Sequence, residues 1–319
     1  MEEFIIRSND MPAHFGEYPG KRSVEELLKC GIVILDKWPG PTSHDVAATV
    51  KSLLGLKKVG HSGTLDPAVS GVLPITLENA CKIIPALQGL DKSYVGVMHL
   101  HKDVGDKELK NAVSRFIGII QQKPPVRSAV ARRVRQRRVY DFKILERDGR
   151  DVLFRITCQA GTYVRVICHD IGKLIGGAHM TELRRTDVGR FNEQAAVRIQ
   201  DVADAYHYWK QNDNEYSEKI RDYILPVEFA VEHLGKIIIK DSAVHSVASG
   251  TPVYSTGISK VSAGIKAGDL AAILTLKGEL VALARANMNA GDIVKKKGLA
   301  AKTDRVIIDK NLYPKMFKN

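Results

Sequence analysis

One loop in the sequence combines a constrained backbone with a carboxylate. The stretch GHSGTLDPAVSGVLP spans residues 60–74 and places Asp66 directly before Pro67. Glycines and prolines at this density predict a tight loop, and the apolar segments on either side would hold it still. A carboxylate presented by a rigid loop can act as a nucleophile. An Asp-Pro pair is also typical of ordinary turns, so the loop alone leaves both interpretations open.

Two further residues favour the catalytic interpretation. Tyr94 lies near the start of an apolar, strand-like segment and offers a flat face and a hydroxyl group. Arg165 ends the motif GTYVR, residues 161–165, near the start of a predicted helix, where the helix dipole disfavours a cation. An arginine in this position indicates that a carboxylate partner lies close to it.

The elements that would position these residues are a mixture of strands and helices. Apolar runs and period-two alternation predict strands over residues 31–36, 71–77, 93–101 and 152–158. Apolar residues at helical spacing predict helices over residues 44–54, 108–118, 162–176 and 199–209. We expect Ser43 to cap the first of these helices and Leu174 to face the core from the third. The mixture predicts an α+β first domain.

The positive charge is concentrated in two regions. The 319-residue chain carries 48 lysines and arginines against 36 aspartates and glutamates, a formal net charge of +12. Residues 123–138, KPPVRSAVARRVRQRR, hold seven basic and no acidic side chains, and residues 236–319 hold 14 basic against 6 acidic ones. Such runs repel themselves unless an anion neutralises them, so we expect both regions to contact the phosphates of one long nucleic acid.

A second, smaller domain is predicted to begin near residue 235. Beyond this point the chain has a short strand at 236–240, a short helix at 241–249 and a hairpin pattern around Lys277-Gly278. Glycine spacing and short strands predict a small β-rich module.

Several protein classes are excluded by their missing signals. No apolar run reaches the roughly 18–20 residues of a membrane helix, and the acidic N-terminus is not a secretory signal. The four cysteines lie far apart, which argues against a disulfide framework or a structural zinc site. His99 and His101 lack a third ligand, which favours a packed or hydrogen-bonded pair over a metal site. We expect a soluble intracellular protein.

Four motifs together resemble one known family. GHSGTLDPAVSGVLP resembles the catalytic motif of the TruB-type pseudouridine synthases, and KWPGPTSHDV, residues 37–46, resembles the lysine-proline motif before it. GTYVR and LRRT, residues 183–186, resemble the downstream motifs. SYVGVMHLH, residues 93–101, and the C-terminal module resemble the archaeal and eukaryotic, dyskerin-type branch. Because long lysine-rich tails are absent, the archaeal form, the catalytic subunit of the H/ACA ribonucleoprotein, is the best match.

The resemblance implies a fold and a division of the chain. The expected fold is that of a pseudouridine synthase, a mixed and largely antiparallel sheet flanked by helices, followed by a small C-terminal PUA β-barrel. Residues 1–30 would form an N-terminal extension that packs on the PUA domain. Residues 31–235 would form the catalytic domain, and residues 236–319 the PUA domain and its tail.

The resemblance also implies catalytic roles. Asp66 would be the nucleophile, and it could add to C6 of the uracil ring or assist at the ribose. Tyr94 would stack on the target base and move a proton at C5. Arg165 would pair with Asp66 and keep it ionised and oriented. No metal or cofactor is implied.

Four further residues are assigned to substrate binding by the same resemblance. Leu183 would form an apolar wall for the base, and His61 would help to hold the target base out of its stack. Lys37 and Pro39 would brace the catalytic loop from beneath.

The basic segment falls where the family carries a mobile loop that clamps substrate RNA through its phosphates. The residues assigned to this loop are Lys123, Arg127, Arg132, Arg133, Arg135, Arg137 and Arg138. The C-terminal domain would hold the 3′ ACA end of the guide RNA, which leaves the choice of uridine to base pairing between guide and substrate.

The implied function is an RNA pseudouridine synthase directed by H/ACA guide RNA and acting on rRNA and tRNA in the cytoplasm. The expected protein partners are a small zinc-ribbon protein, a glycine-arginine-rich-type β-barrel protein and a kink-turn binding protein; no membrane is involved. Two alternatives stay open, a stand-alone tRNA pseudouridine-55 synthase and a non-catalytic RNA-binding scaffold. The presence of Asp66, Tyr94 and Arg165 together argues against the scaffold.

Overall fold

The computed structural model describes residues 3–124, 133–211 and 218–315. Two of the predicted RNA-binding residues, Arg127 and Arg132, lie outside these ranges. The described chain forms two sheets, each with its own helices, and both α and β elements occur in each half. The predicted α+β class is confirmed.

The larger sheet has ten strands and carries the loop that contains Asp66. Eight strands follow one another in the order β11-β2-β4-β9-β5-β8-β7-β6, with β3 beside β4 and β10 beside β9. All neighbours are antiparallel except β4 and β9, which run parallel. The strands are β2 (Gly31–Lys37), β3 (Val59–His61), β4 (Ser70–Leu77), β5 (Lys92–Leu100), β6 (Gly118–Gln122), β7 (Arg135–Asp148), β8 (Asp151–Cys158), β9 (Ala178–Val188), β10 (Phe191–Asn192) and β11 (Leu225–Pro226).

The smaller sheet has seven strands, six from the C-terminal part of the chain and one from its beginning. The order is β1-β14-β12-β15-β16-β17-β13, and only β12 and β15 are parallel. The strands are β1 (Phe4–Ile6), β12 (Gly235–Ile239), β13 (Val253–Tyr254), β14 (Ile258–Ser262), β15 (Leu270–Leu274), β16 (Leu280–Ala286) and β17 (Leu299–Val306).

Nine α-helices of the described ranges cover these sheets. Their buried side chains follow the apolar stripe of an amphipathic helix. They are α1 (Val24–Cys30), α2 (Ser43–Leu53), α3 (Ile84–Gln88), α4 (Asp106–Ser114), α5 (Val164–Ile175), α6 (Ile199–Lys210), α7 (Lys219–Tyr223), α8 (Asp241–Ala248) and α9 (Ala290–Lys295). Helices α4 and α5 pack against β5, β7 and β8, and helices α1, α2 and α6 pack against β2 and β4.

Three local predictions differ from the structure. Thr42, rather than Ser43, caps α2, because its side chain accepts from the Asp45 N–H while Asp45 caps the Thr42 N–H in return. Helix α4 ends at Ser114, and a strand begins at Gly118, where the backbone is left-handed with φ +100°. Leu174 is exposed, and its neighbour Ile175 is the buried residue of the last turn of α5.

The N-terminal segment is divided between the two sheets. Strand β1 pairs with β14, and the backbone N–H of Ala13 donates to Asp241 Oδ2 at 2.7 Å. The N–H of Glu17 donates to the buried carboxylate of Glu279 at 3.1 Å. Helix α1 instead buries its apolar side chains in the core of the larger sheet. The segment that lies on the C-terminal domain is therefore shorter than the predicted extension 1–30.

Within the described ranges, the helices are too short or too polar to span a membrane.

Candidate active site

The loop that is predicted to be catalytic, residues 62–69 and called the catalytic loop below, connects β3 to β4 and lies where β4 runs parallel to β9. Ser70 and Gly71 pair with Arg184 and Arg185 across this junction. Gly71 has φ +105°, and a Cβ atom there would come within 2.1 Å of the Arg185 carbonyl oxygen. The backbones can approach this closely only because position 71 has no side chain.

Lys37 holds the loop from below. Its Nζ donates to the carbonyl oxygens of Trp38, Pro67 and Val69 at 2.9, 3.0 and 2.8 Å. The side chain is fully buried, and burial lowers the pKa of its amine below the usual value. Two of these contacts connect Lys37 to the backbone of the loop, and its bracing role stays a prediction.

Two neighbours of Lys37 also contact the loop. Ser43, at the start of α2, accepts from the Leu65 N–H at 2.8 Å and donates to the Leu65 carbonyl. The N–H of Gly40 donates to the Pro67 carbonyl at 2.9 Å. Pro39 lies in the exposed turn just before Gly40, so any bracing by it acts through the conformation of this turn.

A cavity of about 580 Å³ opens above the loop, and four of the predicted residues form part of its wall: Asp66, Tyr94, Arg165 and Leu183. Asp66 and Arg165 form an ion pair, with Arg165 Nη1 2.8 Å from Asp66 Oδ2. Arg165 lies in the first turn of α5, and the carboxylate supplies the partner that its unfavourable position required. Both side chains are a little under half exposed, so a ligand in the cavity can reach the carboxylate.

Tyr94 and Leu183 are apolar parts of the cavity wall. Both lie in neighbouring strands, β5 and β9, and Leu183 is the register partner of Gly96. A Cβ atom on Gly96 would come within 2.8 Å of Leu183 Cδ1, so this glycine leaves room for the leucine. Burial raises the pKa of the Tyr94 hydroxyl above its usual value, and the nearby Arg185 guanidinium opposes that rise.

His61 ends β3 and lies at the foot of the catalytic loop, outside the cavity wall. Its Nδ1 is buried and has no hydrogen-bond partner within the described ranges. Burial lowers the pKa of the ring, and the positive charge of Arg185 lowers it further, which favours the neutral imidazole.

Part of the basic segment, residues 123–138, lies next to the same cavity. Arg135, Arg137 and Arg138 belong to β7. Lys123 follows β6 directly, Arg133 lies just before β7, and both are exposed. Gly161 and Tyr163 belong to the cavity wall and also to a small cleft lined by Arg135 and Arg137. Arg135 and Arg137 therefore lie directly beside the candidate active site.

Sequence reasoning missed two buried cations of the cavity, Lys92 and Arg185. Lys92 donates to the Gln88 carbonyl at 3.0 Å and to that of Leu90, and burial lowers its pKa to about 8. Lys92 and Tyr94 are two residues apart on one strand and share a face, which was a usable signal. Arg185 was included in the motif LRRT but was given no role. Within the described ranges, no group of three or more His, Cys, Asp and Glu side chains could hold a metal ion.

Four protein-family models match successive parts of the chain. The model "TruB family pseudouridylate synthase (N terminal domain)" matches residues 51–108 and 101–164, and "tRNA pseudouridylate synthase B C-terminal domain" matches 165–232. "PUA domain" matches residues 235–307, and "DKCLD (NUC011) domain" matches residues 1–47.

Curated relatives and solved structures match almost the whole chain. A probable tRNA pseudouridine synthase B of Pyrococcus abyssi is 51% identical over 99% of this chain and 95% of its own length. One of Methanocaldococcus jannaschii is 46% identical over the same fractions. A crystal structure of a Cbf5-Nop10-Gar1 complex matches with a TM-score of 0.92 and 47% identity over 99% of this chain and 97% of that one. An H/ACA RNP bound to a substrate RNA containing 2′-deoxyuridine also matches at 0.92, with 44% identity over 99% and 98%.

A mixed sheet that carries an aspartate loop, followed by a PUA domain, defines an RNA-modifying isomerase of the pseudouridine synthase class. With relatives about half identical along nearly its full length, the chain belongs to the TruB family of pseudouridine synthases. The predicted family and enzyme class are confirmed.

Proposed function

We propose that this enzyme converts uridine to pseudouridine in RNA that an H/ACA guide RNA presents to it, with Asp66 as the nucleophile. The observation that carries the proposal is the ion pair of Asp66 with Arg165 inside a cavity that Tyr94 and Leu183 also line. The close match to a chain of an RNA-bound H/ACA RNP supports the guided form of the reaction.

The reaction breaks the N-glycosidic bond of uridine, turns the base and rejoins it to the ribose through C5. Asp66 can serve it either by adding to C6 of the ring or by assisting at the ribose. Arg165 orients the carboxylate in both cases, because its Nη1 lies 2.8 Å from Asp66 Oδ2.

The other cavity residues hold the base. Tyr94 stacks on the uracil and transfers a proton at C5. Leu183 supplies an apolar surface beside it. His61 acts at the RNA surface to keep the target nucleotide out of its stack, and Lys37, with the turn at Pro39, keeps the loop in place.

RNA and protein partners complete the proposal. The basic segment 123–138 contacts the phosphates of the substrate strand, and the C-terminal domain holds the 3′ ACA end of the guide. We propose a zinc-ribbon protein, a glycine-arginine-rich-type β-barrel protein and a kink-turn binding protein as partners, in line with the complexes that contain the matching chains. Cytoplasmic rRNA and tRNA are the proposed substrates.

A second candidate function is the guide-independent modification of tRNA at position 55. The names of the curated relatives, probable tRNA pseudouridine synthase B, favour it. The two activities use the same cavity and differ only in how the RNA is presented.

The test is tritium release from RNA that carries [5-³H]uridine, with and without a matching H/ACA guide RNA. Asp66→Asn is expected to lower the rate by at least about 10³-fold, as loss of a nucleophile does, while RNA affinity stays within a few-fold. Asp204→Asn, at an exposed position of α6, serves as the control and should react like the wild type.

The outcomes separate the candidates. Release that requires the guide supports the guided function, and release from tRNA alone supports the second one. Normal turnover by Asp66→Asn would refute its role as nucleophile, and no release from any RNA would refute both functions.

A further inference from the structure

Arg185 is a buried arginine whose contacts are unusual for its charge. Its side chain is among the largest in the fully buried set, and the residue is only 2% exposed. Nε donates to the Val72 carbonyl at 2.7 Å and Nη2 to the Gly63 carbonyl at 3.3 Å. Buried arginines are normally paired with a carboxylate, yet none of the described carboxylates forms an ion pair with this one.

The guanidinium lies instead beside the hydroxyl group of Tyr94. Tyr94 and Arg185 are register partners on the adjacent strands β5 and β9. Side chains in such a cross-strand pair lie on the same face of the sheet and close together. The positive charge of Arg185 lowers the pKa of the Tyr94 hydroxyl, and Tyr94 in turn raises the pKa of the guanidinium, although burial lowers the pKa of Arg185 overall. Arg185 therefore brings a positive charge without a carboxylate partner to the same cavity wall as Tyr94, at the position paired with it across the strands.

The other groups around Tyr94 act in the opposite direction. Burial raises the pKa of Tyr94 most. The thiol of Cys158, from β8, and Asp66, from the catalytic loop, raise it further. Lys92, on the strand of Tyr94 itself, and His61, on β3, each feel the charge of Arg185, which lowers their pKa values. Arg185 is thus the group that favours negative charge on the Tyr94 oxygen.

We propose that Arg185 is a positioning residue that acts through Tyr94, fixing the phenol oxygen over the target base and stabilising negative charge on it during proton transfer at C5. The inference rests on the proposed role of Tyr94. In this step the tyrosinate oxygen takes the C5 proton and becomes a neutral phenol. The C–H electron pair forms the C5–C6 double bond of pseudouridine. Where Asp66 has added to C6, the C6–O electron pair leaves with the carboxylate; where it has assisted at the ribose, the C6=N1 π pair moves to N1. In both routes N1 takes its proton from solvent. The tyrosine proton has been released to solvent beforehand.

A purely structural role is the competing interpretation. Arg185 also connects β4, β9 and the loop through Val72 and Gly63, so its loss could disturb the site without involving Tyr94. The two roles differ in their pH dependence and in their response to changes at Tyr94.

The first experiment measures single-turnover rates of Arg185→Met, Arg185→Lys, Tyr94→Phe and the Arg185→Met/Tyr94→Phe double variant with saturating guided RNA. Arg185→Met should slow the reaction by about 30- to 100-fold where Tyr94 is present and by under about 3-fold where it is Phe. Removal of the cation should also move the rising limb of the pH–rate profile up by about one unit. Arg185→Lys, which keeps a cation, should restore the position of the limb.

The second experiment replaces Tyr94 with 3-fluorotyrosine, whose phenol is more acidic. In Arg185→Met this change should recover at least about 10-fold in rate near neutral pH. Loss of the cation raises the pKa of the phenol at position 94, and fluorine lowers it again. In the otherwise unchanged enzyme it should move the rising limb to lower pH. That measurement shows whether the phenol at position 94 is the group that titrates. Arg185→Lys then tests the cation even where Arg185→Met does not fold, which circular dichroism will report.

The proposal is wrong if the losses in the double variant are additive, the pH profile is unchanged and fluorotyrosine does not restore the rate. Arg185 would then have a structural role alone. A fluorotyrosine effect of the opposite sign would also overturn the proposal. Absence of turnover by the wild type would refute the proposed function instead, so the two failures are distinguishable.

Discussion

The catalytic loop and the basic segment meet at one cavity, but different kinds of contact hold them. Buried side chains such as Lys37 and Ser43 bond to the backbone of the loop. Arg135, Arg137 and Arg138 lie near the edge of the larger sheet, on a strand flanked only by β8 and the edge strand β6. The difference matches the task that we propose for each region. Bond rearrangement needs reacting groups fixed within a fraction of an ångström, whereas phosphate contacts tolerate many geometries.

The largest effect that would sharpen this contrast is expected at Arg165. Arg165→Gln should lower the single-turnover rate by about 10²–10³-fold, because Asp66 loses the cation that orients it. The free energy of unfolding should change by less than about 1 kcal/mol, since both partners are over a third exposed. Single-turnover tritium release and urea denaturation measure the two quantities.

Arg155→Gln is the matched control, because Arg155 is an exposed arginine on β8. Equal losses of rate in the two variants would contradict a specific role for the ion pair.

A smaller effect is expected from loss of the brace. Lys37→Met removes one donor from each of three carbonyl oxygens, although that of Pro67 keeps the Gly40 N–H. The change should cost about 2 kcal/mol in the free energy of unfolding. The displaced loop should lower kcat by about 10- to 100-fold with little change in KM. Urea denaturation and steady-state kinetics measure these effects, with the exposed Lys51→Met as control. A variant that loses stability but keeps its full kcat would show that the loop needs no brace.

The smallest effect on chemistry is expected from the basic segment. The variant replaces Arg132, Arg133, Arg135, Arg137 and Arg138 with Gln. The slope of log affinity against log salt should flatten by up to about 0.7 per lost phosphate contact, while the rate at saturating RNA stays near that of the wild type. Filter binding over a range of salt concentrations measures the slope.

The control removes the same charge from exposed lysines elsewhere. It replaces Lys29, Lys51, Lys57, Lys107 and Lys110 with Gln. An unchanged slope in the arginine variant, or an equal change in the control, would mean that the segment makes no specific phosphate contacts.

Local patterns predicted the elements well but missed the contacts that depend on chain topology. Alternation and helical spacing gave β5, β8 and α5 within a few residues. The helix dipole alone indicated the carboxylate partner of Arg165. Ser43 was expected to cap α2, but it contacts Leu65, because Thr42 already closes the capping box.

Arg185 shows why part of the candidate site could not be predicted from the sequence. Its importance comes from the parallel pairing of β4 with β9 and from its register opposite Tyr94. Both depend on pairings between residues far apart in the sequence. No periodicity within LRRT reports such a pairing, so a basic residue in a basic motif gave no sign that it would be buried.

The pairing of β1 with β14 has a consequence for the order of events during synthesis. The first strand leaves the ribosome long before its partner, Ile258–Ser262, exists. Residues 3–17 must wait, unpaired, while the larger sheet forms, and then join a sheet completed at the far end of the chain. Such sequence-distant contacts slow folding and make the beginning of the chain among the last parts to become native. Emergence of the C-terminal strands therefore sets the earliest moment at which residues 3–17 are protected.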